Sequence, residues 1–324
     1  VRRKLADCLC GGGIPARVAG DETFSLRRRL ILAGLLARRP MLGLAVVLLS
    51  ASCFATSSTL GRLSYDHGTN PLSVNATRVF VAACALALFL WARGVPAGLS
   101  RRERAAALGM GMVMGSYALA LFQAIALIPV PVAILVFYTY PLLIGAVTWA
   151  LGAERPSWQA GGAMLLGFAG VCLALDPGGG SIGLAGVGYA MLAACGFTAV
   201  VVTNGRLFRG RDSRPITLHL LAGALIVYAA LYATIADYAA PRDGAGWALL
   251  LSLSLSYTVA VISLFTAVSA IGPFRTSLVM NWEPIASIIL GALVLGQLLS
   301  PIQLAGAALV VVALVLVRRV PKPR

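Results

Sequence analysis

LFQAIALIPVPVAILVFYTYP, residues 121–141, and LFTAVSAIGPFRTSLVMNWEP, residues 264–284, are one pattern written twice. Leu121 falls on Leu264, Phe122 on Phe265, Ala124 on Ala267, Ile128 on Ile271 and Pro141 on Pro284. Elsewhere the register holds with a one-residue slip. Phe54 meets Phe197, Gly61-Arg62-Leu63 meets Gly205-Arg206-Leu207, and Asn70-Pro71-Leu72-Ser73 meets Arg214-Pro215-Ile216-Thr217. The chain reads as an internal duplication with units at 41–175 and 183–317.

Composition sets the solvent. Of the 324 residues, 59% are hydrophobic and 11% charged, and the mean hydropathy is +0.89. Soluble domains carry about 25% charged residues, so this chain needs a bilayer to bury its surface. A net charge of +15 would point to nucleic acid in a soluble protein. Here the arginines stand in short runs between apolar stretches, where they set orientation, and no nucleic-acid partner is expected. The six cysteines show no CxxC spacing, and Cys53, Cys84, Cys172 and Cys195 fall inside apolar runs, where a thiol packs as a small hydrophobe. Two histidines argue against a metal site, and no cofactor is expected.

Residues 1–40 are basic and contain no spanning apolar run, and they read as a disordered tail. Val1 in place of Met fits a start set upstream of the true one, or a non-standard start codon read literally; no secretory h-region is apparent. Ten apolar segments follow, near 41–62, 72–92, 105–127, 131–151, 158–175, 183–204, 216–236, 247–270, 274–296 and 301–317. Most are about 17–24 residues long, enough to cross about 30 Å of hydrocarbon at 1.5 Å per residue. Turn signals separate them, among them Asn70-Pro71, Pro129-Val130-Pro131, Arg214-Pro215 and Ser300-Pro301. A single long kinked helix competes with the cuts at Pro129–Pro131 and Gly272-Pro273. A short basic tail, 318–324, closes the chain.

Of the 26 basic residues, all but Arg62, Arg78 and Arg242 fall in the two tails or in alternate loops on one side. The positive-inside rule then makes both termini cytoplasmic, with the protein multi-pass in a bacterial inner (plasma) membrane. Five helices per unit is an odd number, so the second unit must enter the membrane from the opposite side. The expected fold is all-α and integral to the membrane, with ten transmembrane helices as two inverted five-helix repeats. In such folds a binding site lies near the midplane between repeats, and rocking of the related halves gives alternating access.

Two five-helix repeats, Thr77-Arg78-Val79-Phe80 early in helix 2, Tyr140-Pro141-Leu142-Leu143 in helix 4 and Trp282-Glu283-Pro284-Ile285 in helix 9 together resemble the EamA family of the drug/metabolite transporter superfamily. That family usually closes the fourth helix of each repeat with Gly-Glu. Here the closures are Ala153-Glu154 and Gly296-Gln297, which weakens any role for that acid. The resemblance covers about residues 41–317. It implies export or uptake of small metabolites, often amino acids, driven by a gradient without ATP, with the bilayer and a small-molecule solute as partners and a proton as a candidate coupling ion.

Two ionisable side chains stand inside helices. Glu283 lies near mid-bilayer, and Arg78 lies roughly 10 Å in from the outer face by helix rise. A charge at a helix centre costs about 2.5–3.5 kcal/mol even on the lenient insertion scale, so both should face a cavity or a partner. In the repeat Glu283 aligns with Tyr140, and Arg78 with Ala222; an asymmetric solute needs such asymmetry. Snorkelling of Arg78 to headgroups, and a neutral hydrogen-bonded Glu283, are the structural alternatives. Asn75, Tyr117, Gln123, Tyr138, Tyr140, Tyr257, Asn281 and Trp282 lie at similar depths, and the aromatic ones compete with a role as interface belts. Gly111 and Gly115, with the glycines of 161–170 and 183–188, read as close helix packing. Gly178-Gly179-Gly180-Ser181 lacks the Lys-Ser/Thr of a phosphate loop and reads as the linker between repeats.

An intramembrane enzyme would want clustered His, Asp and Glu or a Ser/Lys pair, and a channel would want a symmetric polar lining. Neither pattern is present. Within transporters, a nucleotide-sugar, sugar-phosphate or lipid-linked-sugar carrier is the alternative to an amino-acid or related solute exporter. Such a carrier needs several cavity cations.

Overall fold

The computed structural model describes residues 40–128, 130–152, 158–175, 183–235, 238–295 and 300–318. The expected tails, the linker at 178–181, and Glu154 and Gln297 lie outside the described residues. The described residues form twelve helices and no strand: α1 (Pro40–Asp66), α2 (Pro71–Ala92), α3 (Arg101–Leu127), α4 (Val130–Phe137), α5 (Tyr140–Ala150), α6 (Trp158–Leu175), α7 (Leu184–Leu207), α8 (Ser213–Ile235), α9 (Gly244–Ile271), α10 (Pro273–Met280), α11 (Trp282–Leu295) and α12 (Pro301–Arg318). Nine spans among them are long and apolar enough to cross a membrane, and Pro301–Leu316 is a shorter apolar helix.

The fourth and ninth segments were expected as single spans. Each is two half-helices, α4 with α5 and α10 with α11, broken at Tyr138–Thr139 and at Asn281. Pro141 and Pro284 stand just after the breaks, where a missing N–H is tolerated in a first helical turn. The cuts before these segments are real. Ile128 is extended (φ −139°, ψ 160°), and Gly272 takes φ 88°, a conformation that favours glycine. Asn70 caps α2, its side-chain oxygen accepting the Ser73 N–H at 2.7 Å, with Pro71 at the first helical position. Ser100 and Glu103 form a capping box at the start of α3.

The principal packing follows a two-fold rule in which a contact has a mate with the repeats exchanged. α1 packs on α9 as α7 packs on α3; α2 packs on α9 as α8 packs on α3; α11 packs on α1 as α5 packs on α7; and α6 packs on α12 across the axis. This is the inverted pairing expected of odd-numbered repeats. The repeats interlock into two mixed bundles, one of α1, α2, α9, α10 and α11, the other of α7, α8, α3, α4 and α5, beside the α6–α12 pair. Serine hydroxyls join α1 to α9. Ser50 donates to the Ala260 carbonyl at 2.8 Å, Ser57 to Leu253 at 2.9 Å, and Ser256 to Cys53 at 2.9 Å.

Glycine sets the closest crossings, since lipid-immersed helices associate through close backbone approach. A Cβ on Gly306 would stand 2.3 Å from the Ala174 nitrogen, and one on Gly223 would stand 2.2 Å from the Leu108 carbonyl oxygen. Of the glycines read as packing residues, Gly111, Gly115, Gly170 and Gly186 lie at such contacts, whereas Gly161, Gly162 and Gly188 have no described atom within 4 Å.

Among the described residues, an ion pair joins the repeats at each end of the molecule. At the arginine-rich end Arg211 meets Glu103 at 2.6 Å; at the other His67 meets Asp243 at 2.8 Å, and the Arg242 N–H donates to the His67 carbonyl at 2.9 Å. Asp243 also caps α9, accepting the Gly246 N–H at 2.7 Å. That N–H, then the His67 hydrogen bond, hold the Asp243 carboxyl below its ordinary range.

Candidate functional site

Between the two bundles lies a cavity of about 190 Å³. At about 30 Å³ per water it would hold roughly six waters, or a solute of that size. Both helix breaks open onto it. Glu283, in the first turn of α11, and Tyr140, which begins α5, occupy the same place in the two repeats and both line the wall.

Arg78 enters from α2. Its guanidinium lies 4.6 Å from the centre of the Tyr257 ring and donates a short hydrogen bond to the Asn75 side-chain oxygen. Asn75 in turn donates to the Pro71 carbonyl at 2.7 Å, which ties the assembly to the capped start of α2. The Arg78 Nε is buried without a partner, and among the described residues no carboxylate is in ion-pair contact with this arginine. Glu283 is half-buried and hydrogen-bonds the Tyr138 hydroxyl. Among the described residues, the cavity therefore holds one fixed cation and one acid, not directly paired.

The opposing wall is aromatic. Phe197 stands 4.5 Å from Tyr140 and 5.6 Å from Tyr117, centre to centre and edge-on, and Phe137 stands 5.4 Å from Tyr140. Such edge-to-face pairs hold a rigid wall. The Tyr140 hydroxyl is buried without a partner.

Seven sequence-nominated residues are brought together here: Arg78, Glu283, Tyr140, Tyr138, Tyr117, Asn75 and Tyr257. Three are not. Asn281 sits in the turn between α10 and α11, but its amide packs toward Gly167 of α6. Trp282 turns toward α1, donating from its indole nitrogen to the Ser52 hydroxyl at 3.1 Å. Gln123 is exposed on α3. Sequence reading passed over Phe54, Ser58, Phe197 and Tyr228 as site residues, yet all four line the cavity. Phe54 and Phe197 carried a signal, since they match between repeats. Tyr228 carried another, standing mid-span in α8 rather than at an interface.

The comparison with curated proteins finds no match. One solved crystal structure superposes with a TM-score of 0.70, covering 86% of this chain and 96% of that one at 19% identity, a likeness of fold alone. The profile of the EamA-like transporter family matches residues 41–175 and again 184–319. The protein thus has two copies of one transporter unit, interlocked around a cavity, and the chain belongs to the EamA-like transporter family of multi-pass membrane proteins.

Proposed function

We propose that the chain is a gradient-driven secondary transporter of small zwitterionic metabolites, amino acids or close relatives, exported from the cytoplasm across a bacterial inner membrane. The arginine-rich end and both termini face the cytoplasm on this reading. The observation that carries it is the arrangement of Arg78 and Glu283. An arginine inside the bilayer with no carboxylate partner among the described residues calls for an anion, and an acid in the same cavity calls for a cation. A zwitterion supplies both, its carboxylate on Arg78 and its amine toward Glu283. With no solute bound, Glu283 is also the group placed to take up a coupling proton.

Arg78 is the one cationic side chain that lines the cavity among the described residues. Phosphorylated and nucleotide-bearing solutes bring at least two negative charges, which this lining does not match. Binding and release need no bond to be made, and no catalytic role is assigned.

Uptake and efflux of a solute panel in proteoliposomes, with and without a pH gradient, test the reading. Amino acids should move and their decarboxylated amines should move at least tenfold more slowly. Equal rates for the two would overturn the zwitterion assignment, and phosphorylated sugars moving in their place would overturn the substrate class.

A further inference from the structure

Far from the cavity, at the arginine-rich end, two guanidiniums from different repeats converge on one ring. The Arg93 guanidinium carbon lies 5.6 Å from the centre of the Phe89 ring, and that of Arg214 lies 6.0 Å from it. Arg93 closes α2, its N–H donating to the Phe89 carbonyl at 3.1 Å. Arg214 stands in the first turn of α8, which packs on α2. Asp212 fixes the Arg214 side chain, accepting from Nε at 2.9 Å and from Nη2 at 2.6 Å. The two arginines and this one carboxylate leave a net charge of plus one.

The ring lies at the edge of the hydrocarbon. Leu88 and Trp91 are well exposed and mark the lipid-facing side of α2, and Phe89, 43% exposed, stands beside them toward α8. Phe89 is in the last turn of a helix long enough to span the bilayer, and Arg93 is one turn beyond it. Ring and guanidiniums therefore straddle the level at which acyl chains meet headgroups.

The repeat shows that the fold does not require this cluster. In the register by which Pro71 meets Pro215, Phe89 falls on Ala233, Arg93 on Asp237 and Arg214 on Asn70. A scaffold feature would recur at both ends of a two-fold design. Here one copy of the sequence has the cations and the ring, and the other has neither.

We propose that Arg93, Arg214 and Phe89 form a binding site for an anionic phospholipid of the leaflet at the arginine-rich end. The phosphodiester sits on the two guanidiniums, whose N–H groups suit phosphate oxygens while their flat faces rest on the ring. The first acyl carbons lie on Phe89 and Leu88. A basic pocket between helices at the bilayer edge is the form such sites take. A phosphodiester carries a single negative charge, which matches the net charge of the cluster better than a doubly charged free phosphate does. The bound lipid ties α2 of the first repeat to α8 of the second. The site is independent of the solute and of the direction of transport.

Purified, delipidated protein in detergent tests this. Phosphatidylglycerol and phosphatidylcholine with the same acyl chains are added separately, with bound lipid read by native mass spectrometry and stability by the melting temperature. The parent should hold phosphatidylglycerol more tightly and melt higher with it than with phosphatidylcholine. Arg93→Gln and Arg214→Gln should each weaken phosphatidylglycerol binding about fivefold or more and remove the excess stabilisation. Arg62→Ala removes an exposed arginine at the opposite end and should change neither. Melting without added lipid is the folding control, and Arg93→Gln alone decides the matter if Arg214→Gln is unstable, since Arg93 is exposed. Equal effects of the two lipids on the parent, an unchanged preference in Arg93→Gln, or the same loss in Arg62→Ala would overturn the proposal. Inorganic phosphate or glycerol phosphate reproducing the stabilisation in the parent but not in Arg93→Gln would overturn the lipid assignment in favour of a soluble anion.

Discussion

The guanidinium of Arg78 lies 4.6 Å from the centre of the Tyr257 ring, a contact that joins a helix of the first repeat to one of the second. Glu283 stands on the same mixed bundle, while Tyr117, Phe137, Tyr138, Tyr140 and Phe197 stand on the other. Both charges thus stand on one bundle and the aromatic wall on the other. A solute held by its charged ends would meet the second bundle through its uncharged part.

Arg78→Lys should not restore what Arg78→Ala removes. A lysine ammonium is a point charge that neither forks onto a carboxylate nor stacks flat on Tyr257. Both variants should lose transport of carboxylate-bearing solutes at least tenfold and leave the decarboxylated amines nearly unchanged, as read by paired flux assays.

Tyr257→Leu keeps the apolar volume and removes the ring under the guanidinium. A cation–π contact is worth about 0.5–2 kcal/mol, so affinity for a carboxylate solute should fall about 2- to 30-fold. Binding titrations on purified protein check this, with the melting temperature as the control for folding.

Glu283→Gln keeps the hydrogen-bonding shape toward Tyr138 and removes the charge and the proton. Gradient-driven accumulation should fall at least tenfold while the protein remains folded in the membrane. Normal accumulation would return Glu283 to a structural role.

Gly306→Val places a side chain against backbone of α6, with the Cβ 2.3 Å from the Ala174 nitrogen and 2.6 Å from the Gly170 oxygen. Overpacking of this kind costs typically about 1–3 kcal/mol, so the detergent-solubilised variant should melt lower. Gly188→Ala, with no described atom within 4 Å, should melt as the parent does.

Asp243 gives the His67–Asp243 ion pair a pH limit. A carboxyl with a lowered folded value stabilises the fold above its unfolded pKa, about 3.9, and that contribution is lost as pH falls through the lower folded value. Acid melting curves of the parent and of Asp243→Asn should therefore converge below that range and separate above it, with the parent the more stable. The same melting temperature for both near neutral pH would remove any stabilising role for the Asp243 carboxylate.

The sequence by itself determined the solvent, the repeat and the inversion. Those follow from composition, from the match of 121–141 to 264–284, and from the odd number of spans in each unit. It also nominated Arg78 and Glu283, because an ionised side chain in a hydrocarbon-length segment is costly wherever it sits. Tertiary structure decided which neighbours at the same depth share their cavity. Asn281, Trp282 and Glu283 are consecutive, yet a helical step of about 100° and the break at Asn281 send one toward α6, one toward α1 and one into the cavity. The grouping of α1 with α9 and of α7 with α3 was not legible either. Pairing between spans depends on glycines and serines meeting across the repeats, as Ser57 meets the Leu253 carbonyl, and small residues in an apolar run look alike whether they face a partner helix or lipid.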